Sequence, residues 1–208
     1  MLSIENDEVS GLIPHQKWFV EKITSSVSGF TLDCGCGRGL WSKKLMEKRL
    51  DVIGVDISTR RLRYAKIKGN NDQVICASSK HLPFKQNCFD SALFIEVIEH
   101  LSEKDQIKAL DEMHRILKNH GTLVVTTPNK PIYDFLSKYS SLFRYNSEHI
   151  KELSFWEFKN LIMRYFKIIS TDGKISSKRF FGGLDKVFPT FLCWQILIIA
   201  EKVKNELL

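Results

Sequence analysis

Four carboxylates, one imidazole and three glycines within the first hundred residues hold most of the chemistry this sequence can do. Asp33 opens the string Asp33-Cys34-Gly35-Cys36-Gly37-Arg38-Gly39, which follows the short apolar run Phe30 to Leu32. Alternate glycines suit a chain that must turn sharply and let a ligand approach its backbone, where a Cβ would stand in the way. The spacing also selects the ligand. A dinucleotide fingerprint has glycines at the first, third and sixth positions, and counting from Gly35 the sixth position is Leu40. A carboxylate at the strand end is a poor neighbour for a diphosphate but a good partner for a cationic amino-acid group. Asp56 ends a second apolar run, 17 residues after Gly39, close to the separation that puts an acceptor on the two adjacent hydroxyls of a ribose. Its alternative role is a helix cap, for which Ser58 is the better residue. Glu96, Glu99 and His100 stand at i, i+3 and i+4, which a helical turn gathers on one face. His100 has the intrinsic pKa to take a proton from a phenol or hydroxyl.

Asp33 to Gly39 resembles motif I of the class I S-adenosylmethionine-dependent methyltransferases. The run Phe89 to Leu101 is similar to that family's F-D-x-V-x-x-x-E-V-I-E-H-L segment. Ala77-Ser78-Ser79-Lys80-His81-Leu82-Pro83-Phe84 resembles its G-D-A-E-x-L-P-F segment, with Ser78 where the family has an acid. A serine hydroxyl still accepts from an adenine amino group, more weakly than a carboxylate does. Thr126-Thr127-Pro128-Asn129 resembles S-T-P-N, and His149 to Ser154 resembles the H-I-x-E-F-S lead-in to a late helix. The resemblance spans about residues 15–200, weakest beyond 130, and points to the small-molecule type near the ubiquinone-biosynthesis O-methyltransferases. It implies that Asp33 and the turn Cys34, Gly35, Cys36, Gly37 and Gly39 hold the methionine end of S-adenosylmethionine. Asp56, with Ile57 beside it, takes the ribose, Ser78 and Ser79 lie near the adenine, and Ile95-Glu96 form the floor beneath the sulfonium. His100 and Glu99 become the catalytic pair, and S-adenosylhomocysteine is the product. In the ubiquinone O-methyltransferases the same E-V-I-E-H string is implicated in binding a divalent cation. The residues themselves leave this open against plain hydrogen bonding, so the metal stays unknown here.

These residues need a scaffold, and the remaining pattern supplies one. Helices are expected from Pro14 to about Val27, after Leu40, after Ser58, after Ser102 and after Ser154, where Ser102-Asp105 and Ser154-Glu157 read as capping boxes. Strands are expected at 30–32, 51–56, 73–76, 87–95, 122–127, 166–170 and 194–200. Strand-helix alternation predicts an α/β architecture. By resemblance it is a Rossmann-like, doubly wound, seven-stranded sheet, mostly parallel with an antiparallel last strand, in a single domain over 1–208. Segments 130–150 and 175–191 are expected to cover the acceptor, with Asn129 facing it. His81 and His120 read as linker and turn residues.

At 208 residues with 43% hydrophobic and 26% charged residues, the composition is that of a folded globular chain. The N-terminus carries no signal-peptide pattern. The longest apolar run, 187–200, is too short to span a membrane. Five cysteines form no C-x-x-C pair, which suits reduced thiols in the cytoplasm. Residues 38–70 hold ten Lys or Arg against three acids, a surplus that equals the whole chain's net charge of +7. Such a patch serves nucleic acid or an anionic membrane surface, or is a solvated helix face. The expected function is methyl transfer to a small-molecule acceptor, at oxygen. Its alternatives are an RNA methyltransferase using the basic patch and a non-catalytic S-adenosylmethionine binder. Peripheral membrane contact through Phe180, Phe181, Phe188 and Phe191 is a further expectation, and oligomeric state is not legible.

Overall fold

The computed structural model describes residues 14–69, 71–139, 146–174 and 190–203. Seven strands form one sheet in the order β3-β2-β1-β4-β5-β7-β6. They are β1 (Thr31–Cys34), β2 (Val52–Asp56), β3 (Val74–Cys76), β4 (Phe89–Ile95), β5 (Leu117–Pro128), β6 (Lys167–Lys174) and β7 (Gln195–Glu201). Only β7 runs antiparallel to its neighbours, as expected. The helices are α1 (Pro14–Ser25), α2 (Leu40–Glu47), α3 (Thr59–Gly69), α4 (Glu103–Ile116), α5 (Lys130–Tyr139) and α6 (Phe155–Met163).

Alternation along the strands feeds two cores. Leu32, Phe94, Val125, Ile196 and Ile198 face one side, with Leu110, Met113, Phe158 and Ile162 from α4 and α6. Leu93, Ile95, Val124, Leu197 and Ile199 face the other, with Phe19, Ile23 and Leu45 from α1 and α2. A sheet apolar on both faces has to be covered on both. The strand order reverses between β1 and β4, so a crevice opens at their carboxyl ends, where such sheets bind ligands.

Two helix starts show how the sequence positions that crevice. Gly39, left-handed at φ 82°, offers α2 no side-chain cap. The cap comes instead from Asp33 on β1, whose Oδ2 accepts the amide of Ser42 at 2.9 Å and its hydroxyl at 2.6 Å. At α6 the Ser154–Glu157 capping box is complete. At α4 only half forms: Ser102 accepts from the Asp105 amide, while the Asp105 carboxylate is drawn to Lys80 at 3.0 Å.

Three expectations are corrected. Residues 130–139, where no helix is expected above, form α5, which buries Tyr133. The turn expected at Asn119-His120-Gly121 is absorbed into β5 as a register shift with His120 at φ 63°. Lys202 explains this, since its backbone pairs with His120 and Gly121 while its buried ammonium donates to Asn87 Oδ1 and the Leu117 carbonyl, both at 2.7 Å. The helical turn over 96–100 is a shorter 3-10 turn, Ile98–His100, and Glu96 lies outside it at φ 54°. All five cysteines are free. Among the described residues no helix is long and apolar enough to cross a membrane.

Candidate active site

The glycine turn wraps the end of β1 over the start of α2. The Gly35 and Cys36 amides donate to the Val55 carbonyl at 2.7 and 2.9 Å, and the Gly39 amide donates to Cys36 at 2.8 Å. Gly35, Gly37 and Gly39 all have positive φ. They differ in what surrounds them. A Cβ on Gly35 would run into the Val97 side chain, whereas one on Gly37 would meet nothing nearer than the Gly35 carbonyl oxygen at 4.0 Å. Gly37 thus borders open space that a side chain would fill. The Cys34 and Cys36 side chains are buried, and burial pushes both thiols up. What these two residues present to a ligand is backbone.

Asp56 closes the crevice from β2. Its Oδ1 accepts the Ser58 amide at 2.7 Å and its Oδ2 the Gly37 amide at 2.9 Å, so the carboxylate joins the glycine turn to the start of α3. Ile57 beside it is 74% exposed. Ser78 and Ser79 are half-buried near the end of β3, where the Ala77 amide donates to the Asp56 carbonyl at 3.2 Å. The Ser78 hydroxyl accepts the Lys80 amide at 3.3 Å, closing the turn that occupies the family's acidic position. Asp33 is fully buried, and desolvation pushes its carboxyl up to about 6 against the two Ser42 bonds.

The opposite wall starts at Ile95 and Glu96. The Glu96 amide donates to Thr126 Oγ1 at 3.1 Å, and the Thr126 hydroxyl donates to Glu96 Oε1 at 2.8 Å. Glu99 is buried, with Oε2 accepting from Thr127 at 3.2 Å and Oε1 unpartnered. Burial and the neighbouring Glu96 push the Glu99 carboxyl well up. His100 Nδ1 lies 2.9 Å from the Glu148 carbonyl. A carbonyl only accepts, so in the neutral ring Nδ1 carries the proton and Nε2 the lone pair.

The structure brings in a residue that sequence reasoning missed. The His149 ring stands 5.0 Å from that of His100, edge to face, and donor atoms of Glu99, His100 and His149 all lie within 4.8 Å of one another. The segment carrying His149 is fastened to the 3-10 turn. The Ile150 and Lys151 amides donate to the Glu99 carbonyl at 2.9 and 3.0 Å, and the buried Gln106 amide donates to Ile98 and Lys151 carbonyls, each at 3.0 Å. The sequence signal was present as His149-x-x-Glu152, an imidazole with a carboxylate three residues on. Asn129, by contrast, does not face the crevice. It is buried, donating to the Cys193 carbonyl at 2.8 Å and accepting the first amide of α6 at 3.1 Å. Much of the expected acceptor cover, 140–145 and 175–189, lies outside the described residues, together with Phe180, Phe181 and Phe188.

A glycine turn after β1, a carboxylate ending β2 and a doubly wound sheet with an antiparallel β7 define a nucleoside-binding methyltransferase domain. A family model described as a methyltransferase domain matches residues 32–125. An uncharacterized protein of Methanocaldococcus jannaschii is 34% identical over 188 residues, covering 90% of this chain and 75% of its own. A ubiquinone/menaquinone biosynthesis C-methyltransferase of Wigglesworthia glossinidia brevipalpis is 30% identical over 123 residues, covering 55% of this chain and 48% of its own. A ubiquinone biosynthesis O-methyltransferase of Pelagibacter ubique is 29% identical over 109 residues, covering 50% and 44%. The match covers about half the length of each of these two enzymes. The crystal structure of an S-adenosylmethionine-dependent methyltransferase from Methanosarcina mazei superposes with a TM-score of 0.71, at 18% identity, over 93% of this chain and 99% of that one. The chain belongs to the class I S-adenosylmethionine-dependent methyltransferases. Its cofactor is S-adenosylmethionine, and the open space at Gly37 and the exposed Ile57 are consistent with that ligand.

Proposed function

We propose that the chain methylates an oxygen of a small-molecule acceptor beside a divalent cation held by Glu99, His100 and His149. The observation that carries this reading is a buried Glu99 carboxylate with Oε1 unpartnered, clustered within 4.8 Å of two imidazoles whose Nδ1 atoms are already engaged. Each ring then has Nε2 to offer, and an imidazole tied through its other nitrogen is the usual form of a ligating histidine. A general-base role for His100 alone uses the same Nε2 but leaves Glu99 and His149 unexplained. A cation there would lower the pKa of an acceptor hydroxyl, so that its proton is lost to solvent as the oxygen takes the methyl group and S-adenosylhomocysteine leaves.

The chain's own residues do the positioning. The Gly37 gap and Asp33 take the methionine end, Asp56 accepts from the ribose hydroxyls, and Ile57, Ser78 and Ser79 border the adenine. The sulfonium supplies an already activated methyl group, so alignment of the acceptor oxygen and exclusion of water are the main tasks left to the protein.

Two imidazoles with a carboxylate favour Mn²⁺, Co²⁺ or Zn²⁺ over Mg²⁺. Calorimetric titration of chelator-stripped protein saturated with S-adenosylhomocysteine is expected to show one Mn²⁺ site, tighter than for Mg²⁺. Full binding silence for Mn²⁺, Co²⁺ and Zn²⁺ would remove the cation from the reading.

Asp33 gives a pH prediction. Its folded carboxyl titrates near 6, above the ordinary value of 3.8, so the folded state holds its proton more tightly than the unfolded state does. The linked stability is present below pH 4 and is lost as pH rises through 6. Asp33→Asn keeps an oxygen for the two Ser42 donors and is expected to be more stable than wild type at pH 7.5, by on the order of 2–3 kcal/mol. The difference should vanish at pH 4 in urea unfolding. The same variant should bind S-adenosylhomocysteine less tightly at pH 7.5, where it lacks the negative charge that Asp33 carries beneath the glycine turn.

A second reading, a nucleic-acid acceptor, is favoured by α3. That helix contains no acid, and its exposed Arg60, Arg63 and Lys66 form no ion pair among the described residues. Arg61 reaches Glu148, beside His100, at 3.8 Å. Salt-sensitive binding of a short RNA that is lost on reversing Arg60, Arg63 and Lys66 would favour it.

A further inference from the structure

We propose that Glu152 is a positioning residue that fixes the tautomer of His149 and aims its Nε2 at Glu99 and His100, an inference that rests on the cation reading above. Glu152 is buried, its side chain 5% exposed. One carboxylate oxygen meets His149 Nδ1 in a short hydrogen bond, and the other lies 4.0 Å from Lys130 Nζ. Burying a carboxylate is costly unless it is paired and hydrogen-bonded, so the pair is a committed feature of this wall.

Holding the segment in place does not require Glu152. On one side of it the Ile150 and Lys151 amides are bound to the Glu99 carbonyl. On the other, the Lys130 amide donates to the Leu153 carbonyl at 3.0 Å and the Phe155 amide to Asn129 Oδ1 at 3.1 Å. The backbone is therefore docked on both flanks. What the carboxylate adds is a fixed ring. A carboxylate only accepts, so in the neutral ring it places the proton on Nδ1 and makes Nε2 the lone-pair nitrogen. His100 is set the same way by a backbone carbonyl. Both rings thus present the same nitrogen, one ordered by main chain and the other by Glu152. The T-shaped contact with His100 and the tilted contact with Tyr133, centroids 6.0 Å apart, limit the ring's remaining freedom.

The test uses full-length protein with S-adenosylhomocysteine bound, in wild type, Glu152→Gln and Glu152→Ala. Mn²⁺ affinity by calorimetry is expected to fall 10- to 100-fold in both variants, the usual cost of losing such an outer partner. S-adenosylhomocysteine affinity should stay within about twofold, which reports that the domain is folded. Nitrogen-15 imidazole spectra of the metal-free protein supply the readout a merely structural role would not move. His149 should be the Nδ1–H tautomer in wild type and a mixture in Glu152→Ala. Unchanged Mn²⁺ affinity overturns the proposal, and so does a loss of affinity with no change in tautomer. If wild type binds no Mn²⁺, the cation reading fails by itself, and the tautomer comparison alone decides the role of Glu152.

Discussion

His149→Ala is expected to lower Mn²⁺ affinity by more than about 100-fold, since loss of an outer partner alone already costs 10- to 100-fold. S-adenosylhomocysteine binding should be unchanged, because His149 arrives on the segment after α5 while the glycine turn, Asp56 and Ile57 belong to the first two strand-helix units. Removing the ring also leaves the Glu152 carboxylate buried without its principal partner. The variant should therefore lose stability, typically 1–3 kcal/mol for an unpaired buried polar group and more for a charged one. His149→Gln separates the two effects. Its amide can still donate to Glu152, so stability should largely return while Mn²⁺ affinity stays low. Calorimetry and thermal melts of the two variants, each with bound S-adenosylhomocysteine, check both halves. Recovery of cation binding in His149→Gln to the wild-type level would count against ligation by the imidazole.

The second large effect is a contrast between two glycines two residues apart. The Cβ added by Gly37→Val meets nothing nearer than the Gly35 carbonyl oxygen at 4.0 Å, so the main structural penalty is its φ of 55°, on the order of 1–3 kcal/mol for a branched residue in that region. Ligand binding should suffer far more, because the side chain fills the gap assigned to the methionine end. The melting-temperature rise given by saturating S-adenosylhomocysteine is expected to disappear. Gly35→Ala should behave in the opposite order. Its Cβ meets Val97 and its φ is 79°, so the protein is destabilised before any ligand is added. Pairing Gly35→Ala with Val97→Ala should recover part of that loss. If Gly37→Val keeps a full thermal shift, the cofactor does not lie against that glycine.

The parts of this site legible in the sequence were those carried by one continuous stretch. Asp33 and the three glycines announce a strand, a turn and a helix within nine residues, and Asp56 follows at a spacing set by one intervening helix. Their backbone geometry follows from residue type, because positive φ costs glycine least. The seven strands in one sheet with an antiparallel last strand were legible only through the resemblance, since strand alternation fixes an α/β class and leaves the sheet order open. His149 was not legible as a site residue. It stands 49 positions after His100, and what joins them is a pair of backbone amides on one carbonyl and a single buried glutamine. Periodicity carries no trace of such contacts. Asn129 erred in the other direction: a polar residue at a strand end looks like a ligand until its amide is seen satisfying α6 and Cys193. α5 carries Ile132, Tyr133, Leu136 and Tyr139 at helical spacing, a period blurred by Phe135 on the exposed face.

Crystals grown with S-adenosylhomocysteine and Mn²⁺, measured for anomalous scattering, test the cation centre most directly. The expected result is one strong anomalous peak within ligating distance, about 2.0–2.3 Å, of Glu99 Oε1, His100 Nε2 and His149 Nε2. A map with S-adenosylhomocysteine clearly bound beside Gly37 and Asp56, but with no anomalous peak among those three side chains, would contradict it.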